Sequence, residues 1–243
     1  MFSFGIYDSG IGGLTTLVPL KRAFETADFC FLADTGNNPL GTKTKGEIVK
    51  AVGESLEILK RESLCQVVAC NTASTIVKPK GCFLLRPFLE ELPPESTLLL
   101  CTPATSKALK LDEKGYKTAD TRNLATAVEI LCETAFKNKD ITVINHIENH
   151  LKLLLDSHIK TEKIDAIYLG CSHYLYFKAI IKKLYPFTTI LDGNDRLIKE
   201  IKSSGFNPNS VGKITFDFTL GNQCEKYAWL VEQLDKNKDF FDI

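Results

Sequence analysis

The chain has 243 residues, 44% of them hydrophobic, enough to bury an ample core as one large domain or two smaller ones. Its 30 basic and 30 acidic residues cancel and no basic run is interleaved with aromatics, so a small-molecule ligand is expected and no nucleic-acid partner. The start, Met1-Phe2-Ser3-Phe4, lacks the features of a signal peptide and no apolar stretch approaches the ~20 residues of a membrane span, so the expectation is a cytoplasmic protein, with no membrane partner, whose eight cysteines are reduced thiols.

Phe2 to Tyr7 reads as a first strand, followed by the turn Asp8-Ser9-Gly10-Ile11-Gly12-Gly13 and a helical pattern from Leu14 towards Phe24. The glycines miss the dinucleotide-binding spacing. They suit either a cradle of backbone N–H groups for an anion or a plain tight turn. Asp28 to Asp34 is a second strand, leading into the turn-rich loop Thr35 to Lys43; a helix over Ile48 to Leu59 and a strand at Val67 complete a βαβαβ order. Pro79, Pro87, Pro93 and Pro94 break up the next stretch, where a boundary between halves is expected.

The second series begins with a strand over Thr97 to Cys101 and a helix over Ala104 to Lys114. A short strand around Tyr116 and helices over Ala125 to Lys137 and Ile144 to Lys160 follow, then a strand over Ala166 to Gly170 and a helix from Phe177 to Leu184. A strand and turn at Thr188 to Gly193, a helix over Asp195 to Ser203, a strand over Val211 to Thr219 and a helix over Glu225 to Leu234 close the chain. Such alternation predicts an α/β fold of doubly wound parallel sheets.

Two stretches share one pattern, an apolar run that gives way to a cysteine and then to hydroxyl or amide side chains: Val67-Val68-Ala69-Cys70-Asn71-Thr72-Ala73-Ser74 and Ile167-Tyr168-Leu169-Gly170-Cys171-Ser172-His173-Tyr174. Both runs suit strands buried on two faces, which places the cysteines at strand carboxyl ends, where α/β sheets bind ligands. A thiol on each side of one carbon suits two-base proton exchange. A free thiol of pKa ~8.5 needs help to ionise, and the candidates are the helix starts after both turns, His173 and Asp8. Cys30, Cys65, Cys82, Cys101, Cys132 and Cys224 fit inert core instead, and His146, His150 and His158 fit an ordinary helix surface. No cysteine spacing forms a zinc signature, so no metal is expected.

Asp8-Ser9-Gly10-Ile11-Gly12-Gly13, Cys70-Asn71-Thr72-Ala73-Ser74 and Gly170-Cys171-Ser172-His173-Tyr174, in this order, resemble the motifs of the glutamate racemases, cofactor-independent members of the aspartate/glutamate racemase superfamily. The loop from Asp34 to Lys43 and, more weakly, Leu191-Asp192-Gly193 and Thr219-Leu220-Gly221 extend the likeness over nearly the whole chain. The resemblance implies two α/β domains facing each other with pseudo-twofold symmetry, one of residues 1–92 plus 195–243 carrying Cys70, the other of residues 93–194 carrying Cys171. The cleft between them would hold the amino acid. It further implies that Cys70 takes the α-proton of D-glutamate and Cys171 that of L-glutamate, with Asp8 and His173 in support. Ser9, Leu40, Gly41, Asn71, Thr72 and Ser172 would contact substrate, and no cofactor would be needed. Supply of D-glutamate for peptidoglycan is the family's role, and a homodimer is an assembly the resemblance allows.

The chain departs from the family's pattern at Asn37, where arginine is usual, at Leu40 in place of the tyrosine of a Pro-Tyr-Gly run, and at Ser172 and Leu175 in place of threonine and proline. The segment between Ser74 and Thr97 is shortened and lacks the family's Gly-Val stretch ending in Glu-Pro. Racemisation of aspartate or another acidic amino acid, and a catalytically weak paralogue that binds an acidic ligand or a protein, therefore stand beside glutamate racemisation as readings.

Overall fold

The strand sequences Phe2–Asp8, Phe29–Ala33, Thr97–Cys101 and Ala166–Gly170 are near-continuous apolar runs, and the computed structural model, which describes the backbone of residues 1–243 and all side chains but those of Asp239 and Phe240, buries them on both faces, while the remaining strands are only partly buried. In chain order the strands are β1 (Phe2–Asp8), β2 (Phe29–Ala33), β3 (Ser63–Val68), β4 (Cys82–Leu84), β5 (Thr97–Cys101), β6 (Lys117–Thr118), β7 (Ala166–Gly170), β8 (Thr189–Leu191) and β9 (Ile214–Phe218). They form two sheets, ordered β4-β3-β1-β2-β9 and β6-β5-β7-β8, in which every adjacent pair is parallel. In the first sheet Tyr7 pairs with Leu32 and Val68; in the second Cys101 pairs with Gly170. The segments that leave β1, β2 and β3 thus emerge side by side, as do those that leave β5 and β7.

The helices are α1 (Leu14–Ala23), α2 (Lys45–Glu62), α3 (Asn71–Ile76), α4 (Pro103–Leu109), α5 (Leu124–Asn138), α6 (Glu148–Thr161), α7 (Lys178–Leu184), α8 (Asn194–Ser203), α9 (Cys224–Lys236) and α10 (Lys238–Phe241). The longest, α2, starts on a capping box: Glu47 N–H donates to the Thr44 hydroxyl at 3.4 Å and Thr44 N–H to the Glu47 carboxylate at 2.8 Å. Its buried face, Ile48, Ala51, Val52, Ser55, Leu56 and Leu59, has helical spacing. One apolar cluster runs through both sheets, joining Phe4, Phe31 and Val67 of the first to Leu98, Leu100 and Ile167 of the second. Helix α9 packs against both α1 and α5, so it belongs to both layers.

Several elements differ from the sequence reading. The proline-broken stretch holds a short edge strand, β4, which pairs with β3. The helix expected over Ala104 to Lys114 ends at Leu109, because Lys110 turns left-handed (φ 54°) and Leu111 N–H closes on Ser106 O. The helix expected from Ile144 starts at Glu148, after a 3-10 run over Ile141–Ile147 that Asp140 caps through Thr142 N–H at 2.9 Å. Cys82 and Cys224 are half-buried, since β4 is an edge strand and Cys224 opens α9; Cys65, Cys101 and Cys132 are core as expected. Among the described residues no helix is long and apolar enough to cross a membrane.

Candidate active site

The carboxyl ends of β1, β2, β3, β5 and β7 converge on one small cavity of about 30 Å³. Cys70, Asn71 and Thr72 line it from the first sheet, Cys171, His173 and Tyr174 from the second, with Ser9 and the loop Asn38 to Thr42 between them. Of the residues singled out from sequence, Ser9, Leu40, Gly41, Cys70, Asn71, Thr72, Cys171 and His173 therefore share one lining. Asp8 and Ser172 do not reach it and lie buried beneath.

On the first side Cys70 is the residue before α3, and Ser74 N–H closes on its carbonyl at 2.9 Å. Burial pushes the Cys70 thiol well up, and the negative charge of Asp8 adds to this, while the Ala73 N–H and the Ser9 hydroxyl, 3.9 Å from Sγ, oppose it. Asn71 is 2% exposed, yet neither its amide nitrogen nor its oxygen has a partner. Native proteins rarely leave such a group unsatisfied, and of the unpartnered buried side chains among the described residues Asn71 is the one in the cavity lining, which makes it a candidate to hydrogen-bond a polar ligand there. Thr72, Thr102 and Thr105 form a ring of hydroxyls 2.9 to 3.1 Å apart that joins the Cys70 turn to the segment leaving β5. Thr102 and Thr105 escaped the sequence reading, although their place just after a strand end was a legible signal.

The loop after β2 is anchored from below. Asp34 is fully buried and accepts from the Tyr7 hydroxyl at 3.1 Å, the Asn37 amide at 2.9 Å and the Thr219 hydroxyl at 2.8 Å. Asn37 is thus turned to Asp34. Leu40, at 1% exposure, belongs to the apolar cluster of Tyr7, Leu32, Ile48 and Val68, so its side chain serves the core, while Leu40 and Gly41 both line the cavity.

On the second side Cys171 is followed by a 3-10 run, Ser172–Phe177, before α7 begins, so the α-helix start expected directly after this cysteine is absent. Asp8 reaches across: its carboxylate accepts from the Ser172 hydroxyl at 3.0 Å and from Gly10 N–H at 2.9 Å. Burial raises its pKa despite the opposing charge of His173. His173 donates from Nε2 to Glu129 Oε1 at 3.0 Å. Burial alone would lower the His173 pKa, but its contacts with Cys171 and Glu129 win and hold it well above the ordinary value, while Glu129, held down chiefly by His173 against its own burial, stays a carboxylate.

Two glycines make this approach feasible. A Cβ on Gly12 would lie 2.4 Å from His173 Nδ1, and one on Gly10 would lie 2.3 Å from Glu129 Oε1, both inside any real contact. The glycines of the first turn therefore admit the second half's acid–base groups. Glu129 was not legible as a site residue. It stands on α5 beside the buried stripe Leu124, Val128, Cys132 and Ala135, and that is the one hint the sequence carries. Among the described residues the one cluster of three potential metal donors is Cys30, Glu62 and Asp217, with Cys30 Sγ 3.2 Å from Asp217; none of the three lines the cavity, and Cys30 is thus a buried thiol with carboxylate neighbours.

No family model matches the chain. A protein of Halothermothrix orenii named glutamate racemase is 29% identical over 234 residues, covering 86% of this chain and 88% of that protein. The crystal structure of glutamate racemase isoform RacE1 from Bacillus anthracis superposes with a TM-score of 0.74 at 21% identity, over 96% of this chain and 93% of that one. That of the Francisella tularensis glutamate racemase, in complex with D-glutamate, gives 0.73 at 21% over 97% and 94%. The chain is a divergent relative of the glutamate racemases. The likeness to glutamate racemases covers both sheets and the cavity between them, so it is not carried by one half alone.

Proposed function

We propose that the protein is an isomerase that interconverts L- and D-glutamate without a cofactor, acting with Cys70 and Cys171 as paired acid and base. One observation carries the reading: two thiols from turns of the same pattern, one per parallel sheet, line a single cavity beside an unpartnered buried amide. Residues 1–92 plus 195–243 would form one half and 93–194 the other, and closure of the halves would exclude water from the reacting carbon. Asn71, the Thr72 hydroxyl, Ser9 and the backbone of Leu40 and Gly41 would hold the ammonium and carboxylate groups, and Ser172 would reach substrate through small movements of its loop.

In this reading a Cys171 thiolate takes the α-proton of L-glutamate while the Cys70 thiol delivers its own proton to the opposite face, giving D-glutamate. The reverse reaction exchanges the roles. The thiols need their ionised form only transiently, and the His173–Glu129 pair beside Cys171 would move the proton that resets them. We place the activity in the cytoplasm, in supply of D-glutamate to cell-wall synthesis, with a homodimer as the assembly to be tested by light scattering.

The deciding experiment is chiral analysis of purified protein incubated in D₂O with L-glutamate, D-glutamate and L-aspartate. Deuterium should enter the Cα of the product while recovered substrate stays protiated at low conversion. Deuterium in both pools alike would replace the two-base reading by a single base, faster turnover of aspartate would change the substrate, and no turnover of any would leave a binding protein.

A further inference from the structure

We propose that Asn38 positions Glu129, and through it His173, so that the loop expected to hold a substrate carboxylate is tied to the acid–base pair beside the second thiol. This rests on the racemase reading above. Asn38 Nδ2 donates to Glu129 Oε1 at 2.9 Å, across the cleft, and the same oxygen accepts from His173 Nε2 at 3.0 Å and, more weakly, from Ile11 N–H at 3.4 Å. One carboxylate oxygen thus gathers the loop after β2, the turn after β1 and the turn after β7. Asn38 itself lines the cavity and stands directly before Pro39, Leu40 and Gly41, so any shift of that loop on ligand entry moves the amide that holds Glu129.

The geometry is specific to an amide. A carboxylate with three donors on one oxygen needs a neutral or cationic hydrogen-bond donor at position 38. An acid there would set two like charges side by side in a half-buried site, and an apolar residue would leave Glu129 free to turn towards Lys226 on α9, whose charge also acts on it. The charged and titratable groups about His173 are Glu129 on α5, Asp8 at the end of β1 and Cys171 in its own turn, with Lys226 acting on Glu129. Of these, Glu129 is the one Asn38 touches.

The test uses Asn38→Ala and Asn38→Asp in the full-length protein, alone and combined with Glu129→Gln. With an equilibrium constant of one, kcat/KM falls equally in the two directions; Asn38→Ala should lower it about tenfold, the lower end for one hydrogen bond to a charged group, mostly in kcat. In the Glu129→Gln background the same change should cost less than about twofold, since the negative charge that Asn38 anchors is gone. NMR titration of the His173 ring in the ligand-free protein should show Asn38→Ala releasing the ring proton at lower pH than the parent, because an unanchored Glu129 holds it less well. Asn38→Asp, which keeps the shape, should lose activity at neutral pH and recover part of it as pH falls and the added acid is protonated. An unmoved or raised His173 titration, or an undiminished loss in the Glu129→Gln background, would overturn the inference. The titration needs no turnover, so a parent protein inactive on every amino acid would sink the racemase reading and still leave Asn38 decided.

Discussion

The two cysteine turns share a sequence pattern and a place in their sheets, yet their surroundings differ in kind. Cys70 has neutral helpers, the Ala73 N–H and a distant Ser9 hydroxyl, and faces the adverse charge of Asp8. Around Cys171 stand a histidine kept protonated by a half-buried carboxylate and a carboxylate, Asp8, that leans over from the end of β1 through Ser172. Two turns at corresponding strand ends thus hold chemically unequal thiols. The second turn carries its own charge device, whereas the first depends on the start of a short helix and on whatever charge the ligand brings. A zwitterionic amino acid, with its ammonium group near Asp8, would offset the charge that disfavours a Cys70 thiolate.

The comparison breaks most sharply if either thiol is removed. Cys70→Ala and Cys171→Ala should each lower racemisation by about two to four orders of magnitude, since proton transfer by a positioned group contributes on this scale. The remaining thiol should still exchange the α-proton of one enantiomer with solvent: L-glutamate in Cys70→Ala, D-glutamate in Cys171→Ala. Proton NMR in D₂O reads both. Exchange of the same enantiomer in both variants would mean that the two thiols do not address opposite faces.

Glu129→Gln comes next and, of the two thiol environments, acts on that of Cys171, through His173. The loss of a hydrogen bond between charged groups predicts a fall in kcat of about ten- to a hundredfold. Stability gives a further signature. The folded His173 pKa is raised, so its share of stability is fully present below its unfolded value of ~6.5 and fades as pH rises through the folded value; the Glu129 pKa is lowered, so its share is present above ~4.3 and is lost as pH falls through its folded value. The Tm gap between parent and Glu129→Gln should therefore be widest between about pH 4.5 and 6.5 and narrow on either side. A gap independent of pH would mean that the pair carries no charge.

The sheet architecture, the strand ends and both cysteine turns were legible because each rests on local signals: buried apolar runs, then small polar residues. What was not legible depends on residues far apart in sequence. Glu129 is an unremarked acid on an amphipathic helix until the fold brings it to His173, 44 positions on, and Asn38 gains its meaning only from Glu129. The glycines of the first turn left two readings open, and the neighbours their missing Cβ atoms would strike favour a third use, the admission of side chains from the opposite half. Leu40 shows the converse. The motif placed it at the ligand, and Leu40 does line the cavity, but its apolar side chain also follows the hydrophobic effect into the core. Leu40→Tyr, which the motif alone suggests as a gain, should instead cost about 1–3 kcal/mol of stability by overpacking, measured by denaturant melts, with activity lowered rather than raised.

The smallest effect is expected at a third thiol, and it tests whether position in the turn or mere proximity makes a cysteine functional. Cys101 ends β5, pairs with Gly170 in the ladder, and lies so near the second turn that its Cβ is 3.1 Å from where a Cβ on Gly170 would be. It is 4% exposed and does not line the cavity between the sheets. Burial, followed by the charges of Cys171 and Asp112, pushes its thiol up to about 12; burial raises Cys70 as well, so what separates Cys101 from the two turn cysteines is its place outside the cavity lining. Cys101→Ala removes one sulfur from a packed strand end and should cost about 1 kcal/mol or less, with kcat and KM within about twofold of the parent and an unchanged pH profile. Thiol-specific alkylation at neutral pH should likewise inactivate parent and Cys101→Ala at the same rate. Were Cys101→Ala to abolish turnover while Cys171→Ala retained it, the second base would lie on β5 rather than after β7, and the correspondence of the two cysteine turns would not describe the chemistry.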